Sequence, residues 1–250
     1  MSKVLQIGHS PDPDDAFMFC ALSHGAVKIR DFEIDHVLED IQSLNERAMK
    51  GDLEVTAISA HAFLSVADKY WIMATGASMG EGYGPVVISK EALTIDELEG
   101  KRVAIPGEIT TAALLSRIFL PKFEAVVRPF DTIFDAVDKG DADAGVIIHE
   151  GQLTYADKGY HKILDFGEQW EKETGLPLPL GLDVVRRDLG REGVDHVLNG
   201  PAHARERDLA GAAPARGAAR DEHHRAALAH VSHAEAHRVR FGLGADPNGR

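Results

Sequence analysis

Two short stretches constrain this chain more than any other feature. Lys139-Gly-Asp-Ala-Asp-Ala-Gly-Val-Ile-Ile-His149 opens on a turn, runs through a continuous apolar segment at 144–148 and stops at a polar end. Lys50-Gly-Asp-Leu-Glu-Val-Thr-Ala-Ile-Ser59 repeats the device, with His61 just beyond it. An apolar run this short, β-branched at its end, reads as a strand buried on both faces, of the kind a parallel sheet uses. In open α/β sheets ligands bind beyond the carboxyl ends of such strands. Two copies therefore suggest two α/β halves of similar build, aiming Ser59 and His149 at a common cleft. A histidine at such a position titrates near neutrality and suits proton transfer. The competing reading is a histidine that only closes the strand.

The rest of the chain alternates strand and helix patterns. Residues 4–8 read as a first strand, followed by His9-Ser-Pro-Asp-Pro-Asp-Asp15 and a helix over 16–22. Two prolines hold that helix back, with Asp14 or Asp15 as its N-cap. A polar loop that joins a strand end to an exposed helix start can hold a small polar ligand, which makes Ser10 and Asp14 candidate binding residues. The alternative is a rigid turn whose aspartates only cap. Residues 32–38 alternate as a strand, and 41–49 have helical spacing with Leu44 and Ala48 inward. Another strand spans 71–77, and four glycines and a proline within 76–85 mark a crossing between halves. After a strand at 102–105, Thr110 and Thr111 open a helix; the pair suits a carboxylate ligand, or serves capping alone. Helical patterns at 152–158 and 168–174 flank a strand at 162–166. The proline-stiffened Gly175-Leu-Pro-Leu-Pro-Leu-Gly181 then crosses back, so the chain should form a two-lobe clamp around a central cleft.

A formal net charge of -13 argues against nucleic acid or an acidic membrane surface as partner. A single cysteine, Cys20, excludes an internal disulfide and a cysteine zinc site. No long apolar segment or leader pattern is visible, so a soluble cytoplasmic protein is expected. Composition changes near residue 191: the last 60 residues lack lysine, isoleucine, threonine and tyrosine and hold seven of the 13 histidines. Such a segment has too few large apolar residues for a firm core face and is expected to pack poorly. Its composition is that of GC-rich coding sequence read out of frame. His233 and His237 sit one helical turn apart, but no acid or cysteine completes a metal set.

Taken together, several motifs resemble the 1,4-dihydroxy-6-naphthoate synthase family of the futalosine route to menaquinone. They are His9-Ser-Pro-Asp-Pro-Asp-Asp-Ala-Phe17, Leu38-Glu-Asp-Ile41 with Leu44-Asn45, Gly82-Tyr-Gly-Pro85, Thr110-Thr111, Ile147-Ile-His-Glu150 and Thr174-Gly-Leu-Pro-Leu-Pro-Leu-Gly181, in family order and spacing. The resemblance implies an α/β, two-lobe, periplasmic-binding-protein-like (type II) fold with its ligand cleft between the lobes. Residues 1–86 with about 180–190 would form one lobe, 87–179 the other, and 191–250 the atypical tail. It implies a carbon–carbon lyase that converts cyclic dehypoxanthine futalosine to 1,4-dihydroxy-6-naphthoate, with neither metal nor organic cofactor. The expected partner is a small-molecule carboxylate substrate. His149 matches the family's proton acceptor, Thr110 and Thr111 a substrate-binding pair, and Ala57, Ile58 and Ser59 a second binding segment. The chain departs from the family pattern Ser-Pro-Cys-Pro-Asn-Asp-Thr-Phe at Asp12, Asp14 and Ala16, and has Ala57 where some members carry lysine. The new acids and the lost lysine make the cleft more negative. A chorismate dehydratase-like enzyme of the same pathway and a non-catalytic solute-binding protein are the rival readings.

Overall fold

The computed structural model describes residues 3–29 and 32–190. The expectations for the tail, including its histidines, lie outside the described residues. In chain order, β1 (Lys3–His9), α1 (Pro13–Ser23), β2 (Phe32–Leu38), α2 (Ile41–Lys50), β3 (Val55–Ser59), α3 (Ala60–Phe63) and β4 (Tyr70–Gly80) lead to a crossing at 81–85. Then follow β5 (Val86–Ser89), β6 (Arg102–Ile105), α4 (Thr111–Phe119), β7 (Glu124–Val127), α5 (Ile133–Asp138) and β8 (Ala144–Ile147). After α6 (Gly151–Thr154), β9 (His161–Asp165) and α7 (Phe166–Thr174), the chain returns as β10 (Leu178–Arg186).

The strands form two five-stranded sheets, ordered β2-β1-β3-β10-β4 and β7-β6-β8-β5-β9. β3 and β8, the strands of the repeated device, are each the middle strand of their sheet, and every residue in both is buried. Each pairs parallel on one side (β1, β6) and antiparallel on the other (β10, β5). The sheets are therefore mixed rather than parallel. The apolar run signals burial of both faces, which a middle strand has whatever the direction of its neighbours. Before β3, Gly51 closes α2 in the left-handed conformation (φ 80°), and before β8 Gly140 does the same at φ 73°, which explains the glycine in both turns.

Three elements differ from their sequence reading. α1 begins at Pro13, not at residue 16, and its N-cap is Asp12, not Asp14 or Asp15. Pro13 sits in the first turn, where the missing N–H is not needed and the fixed φ is already helical. The helix read over 152–158 is the short α6 alone. Glycines 76 and 80 lie inside β4, so the crossing is confined to 81–85. Gly76 takes φ 82° because the carboxyl of Asp183, on the neighbouring β10, occupies the space of a side chain there.

One apolar cluster fills the second sheet beneath α4 and α7, with Leu114, Phe166 and Trp170; others lie on both faces of the first sheet. Among the described residues no helix is long and apolar enough to cross a membrane.

Candidate active site between the two sheets

A cavity of about 390 Å³ lies where the carboxyl ends of β3 and β8 converge. Its lining takes Ser10 and Asp12 from the loop before α1, Ser59 from the end of β3, Thr110 and Thr111 from the start of α4, and His149 from beyond β8. Ala57 and Ile58 also reach it, although Ile58 is fully buried and packs with the core around Tyr70. The side chain of Asp14 lies outside the description.

His149 adopts φ 58°, the one positive φ of a non-glycine among the described residues. Histidine tolerates this region better than most residues, and such strained positions gather at functional sites. Several contacts hold it there. Its carbonyl accepts from Gln152 N–H at 3.0 Å, and its ring meets the Phe130 ring edge-on at 5.0 Å between centroids. With its amide oriented to satisfy both ends, Gln152 accepts from His149 N–H at 3.2 Å and donates to Gly84 O at 3.0 Å. His149 Nδ1 lies 3.3 Å from Asp12 Oδ2, while Nε2 is shielded from solvent and has no partner. Donation of Nδ1–H to Asp12 leaves Nε2 with its lone pair available.

Asp12 does two jobs. Oδ1 accepts from Asp15 N–H at 3.0 Å and caps α1, and Oδ2 faces the imidazole. Asp15 Oδ2 in turn accepts from Ser10 N–H at 2.6 Å, which ties the loop to the helix start.

Of the two readings of the threonine pair, the hydroxyls follow the capping one. Thr110 Oγ1 donates to Gly107 O at 2.8 Å and accepts from Ala113 N–H at 3.1 Å. Thr111 Oγ1 donates to Leu180 O at 2.7 Å and accepts from His61 N–H at 3.3 Å. Both hydroxyls are thus spent on capping and on joining the sheets. What faces the cavity is the first turn of α4, where the N–H groups of Thr111 and Ala112 have no intrahelical acceptor. A helix start of this kind attracts an anion without any side chain.

Ser59 is set by buried Asn45, whose Nδ2 donates to Ser59 Oγ at 2.9 Å and whose Oδ1 accepts from Ser59 N–H at 2.8 Å. Asn45 Nδ2 also reaches Ile109 O at 3.3 Å, across to the other sheet's side of the cavity. Among the described residues no lysine or arginine lines the cavity, and none has three or more metal-ligating side chains grouped to hold a metal ion. Among the described residues, negative charge on a ligand is therefore met by helix amides, hydroxyls and the imidazole.

Gln152 and Asp183 escaped the sequence reading, and Asp12, placed in the cleft by that reading, was not identified as the cap of α1. For Asp12 a signal existed, since Asp12-Pro13-Asp14-Asp15 has a capping residue, proline at N1 and an acid at N3. Gln152 and Asp183 lie in ordinary helix and strand contexts that carry no such mark.

A family model described as menaquinone biosynthesis matches residues 5–240. A Thermus thermophilus protein named 1,4-dihydroxy-6-naphthoate synthase is 42% identical over 197 residues, covering 79% of this chain and 71% of that relative. An X-ray structure of an Archaeoglobus fulgidus protein matches with a TM-score of 0.74 and 43% identity, over 93% of this chain and 82% of that one. The alkanesulfonate-binding protein SsuA of Xanthomonas axonopodis pv. citri, at 18% identity, matches with a TM-score of 0.61 over 92% of this chain and 79% of its own. That last likeness shows the fold alone, which is the α/β fold of periplasmic binding proteins.

Proposed function

This chain belongs to the menaquinone-biosynthesis family, and from that premise we propose that it cleaves cyclic dehypoxanthine futalosine to 1,4-dihydroxy-6-naphthoate. On this reading it is a cytoplasmic carbon–carbon lyase with His149 as general base. The observation that carries the reading is the Asp12–His149 pair in the lining of a cavity that also holds the start of α4. The amides of Thr111 and Ala112 hold the substrate carboxylate. His149 Nε2 then takes a proton beside the ring that becomes aromatic, and the electron pair left behind expels the sugar-derived fragment. A base positioned in this way contributes about 10²–10⁴-fold. The two lobes, 1–86 with about 180–190 and 87–179, close over the substrate and exclude water. Incubating the full-length chain with cyclic dehypoxanthine futalosine should yield 1,4-dihydroxy-6-naphthoate by mass-detected chromatography, and chorismate should be left unchanged. Dehydration of chorismate, or no naphthoate, overturns the reading.

Asp12 is here a positioning residue. It fixes the imidazole tautomer and stabilises the imidazolium that forms. Asparagine caps helices as well as aspartate does, so Asp12→Asn keeps the start of α1 while removing the charge beside His149. The expected result is an unchanged KM and melting temperature with kcat lowered about 10- to 100-fold. A variant that loses stability but keeps kcat would make Asp12 a cap and nothing more.

A further inference from the structure

The cavity has a second polar wall that the proton transfer does not use. Asp183 lies within β10, is only 5% exposed, and lines the cavity. β4 is deformed around it. Between the pairs Leu182↔Ala77 and Val184↔Ile72, residues 73–76 of β4 stand opposite the single Asp183. A side chain at Gly76 would lie 1.8 Å from Asp183 Oδ2, so that glycine exists to admit the carboxyl. Among the described residues no hydrogen-bond donor reaches Asp183. Ser10, 2% exposed, lines the same cavity, and its Oγ is likewise without a partner. A buried carboxyl with no donor among the described residues costs stability, and its place in the cavity lining points to a ligand that completes it.

We propose that Asp183 and Ser10 form a second subsite that binds uncharged hydroxyl or carbonyl oxygens of the ligand and rejects a second anionic group. Thr111 bonds Leu180, three residues and about 10 Å along β10 from Asp183, so one ligand can hold its carboxylate at α4 and its hydroxyls here. If the lyase reading holds, on which this detail alone rests, those hydroxyls belong to the sugar-derived part of the substrate.

Burial, and then the charge of Asp15, push the Asp183 carboxyl up to about 7. Near neutrality it can therefore donate a hydrogen bond as well as accept one. Among the described residues, the other elements packed on β10 add no charge at this point. β3 has no titratable side chain, and Tyr70 of β4 lies at the far end of β10, opposite Arg186. His61 of α3 has Nδ1 at Thr110 O, α4 offers Thr111, and α7 packs near Leu178. Asp12 and His149 share the cavity as a pair of their own. A carbonyl oxygen needs the neutral acid and loses affinity as pH rises above the titration, whereas a hydroxyl can donate to the ionised carboxylate.

Gluconate, hexanoate and adipate test this without the substrate, because they share one carboxylate and differ only at the far end. By titration calorimetry on the full-length chain near pH 6.5, gluconate should bind about tenfold tighter than hexanoate, and adipate weakest. The preference for gluconate should persist in Asp183→Asn, which offers both a donor and an acceptor, and vanish in Asp183→Val. Equal binding of gluconate and hexanoate by the wild type, or a preference that survives in a folded Asp183→Val, overturns the subsite. Neither result bears on the lyase reading, which stands or falls on naphthoate formation.

Discussion

Replacing His149 by alanine should lower turnover of cyclic dehypoxanthine futalosine by about 10²-fold or more, with the melting temperature kept within a few degrees. The two halves of this expectation have separate causes. β8 is held by Val146 and Ile147, both buried, and by pairing to β5 and β6, none of which involves the imidazole. Alanine tolerates the positive φ at residue 149 less well than histidine, but the added backbone penalty of about 1 kcal/mol or less stays within those few degrees. Asp12 keeps its bond to Asp15 N–H, and the helix start survives. What disappears is Nε2, a buried nitrogen with no structural partner. Steady-state kinetics and a thermal melt on the same preparations decide the matter. A folded alanine variant that turns over substrate at near wild-type rate would make the histidine a strand terminator and sink the proposed mechanism.

Gly167→Ala should be the most damaging single methyl addition at the crossing, lowering stability by about 3 kcal/mol. For a chain of this size that is a fall in melting temperature of roughly 6–12 °C. A Cβ on Gly167 would stand 2.0 Å from Tyr83 C and 2.1 Å from Tyr83 O, and these are backbone atoms that cannot rotate aside. The first turn of α7 is also pinned: Phe166 N–H donates to Pro85 O at 3.0 Å, and Asp165 accepts from Gly167 N–H at 2.8 Å. The methyl must therefore push the 81–85 crossing away from α7. Because Tyr83 and Pro85 line the cavity, ligand affinity should fall as well. Gly159→Ala is the control, since φ is 77° there but nothing lies within 4 Å of the added atom. It should cost only about 1 kcal/mol, from the backbone conformation alone. Denaturant melts of the two variants compare them, and equal losses would show that the close approach at Gly167 carries no energy.

Much of the architecture could be read from local pattern. The apolar run of 144–148, its counterpart at 55–58, and the glycines that close the preceding helices specify two middle strands with polar ends. Burial of a strand follows from its own residues, so the fold class and the convergence of Ser59 and His149 follow from sequence alone. The direction of the neighbouring strands does not, because a doubly buried strand carries the same residues in a parallel or an antiparallel setting. The roles within the cavity are less readable still. Thr110 and Thr111 read equally as ligand donors or as caps until Gly107 O and Leu180 O take their hydroxyls, which leaves the amides of that first turn at the cavity. Asp12 announces itself as a helix cap, but its second oxygen meets His149 only because the two sheets bring their strand ends together. Nothing in its local sequence marks Asp183. Its burial, and with it the shift of its carboxyl to about 7, comes from the deformation of β4 and the nearness of Asp15. Sequence determines which apolar segments are withdrawn from water, because that depends on each segment's own pattern. Tertiary structure alone decides which polar groups are satisfied by the protein and which are left for a ligand, because their partners come from segments far apart in the chain.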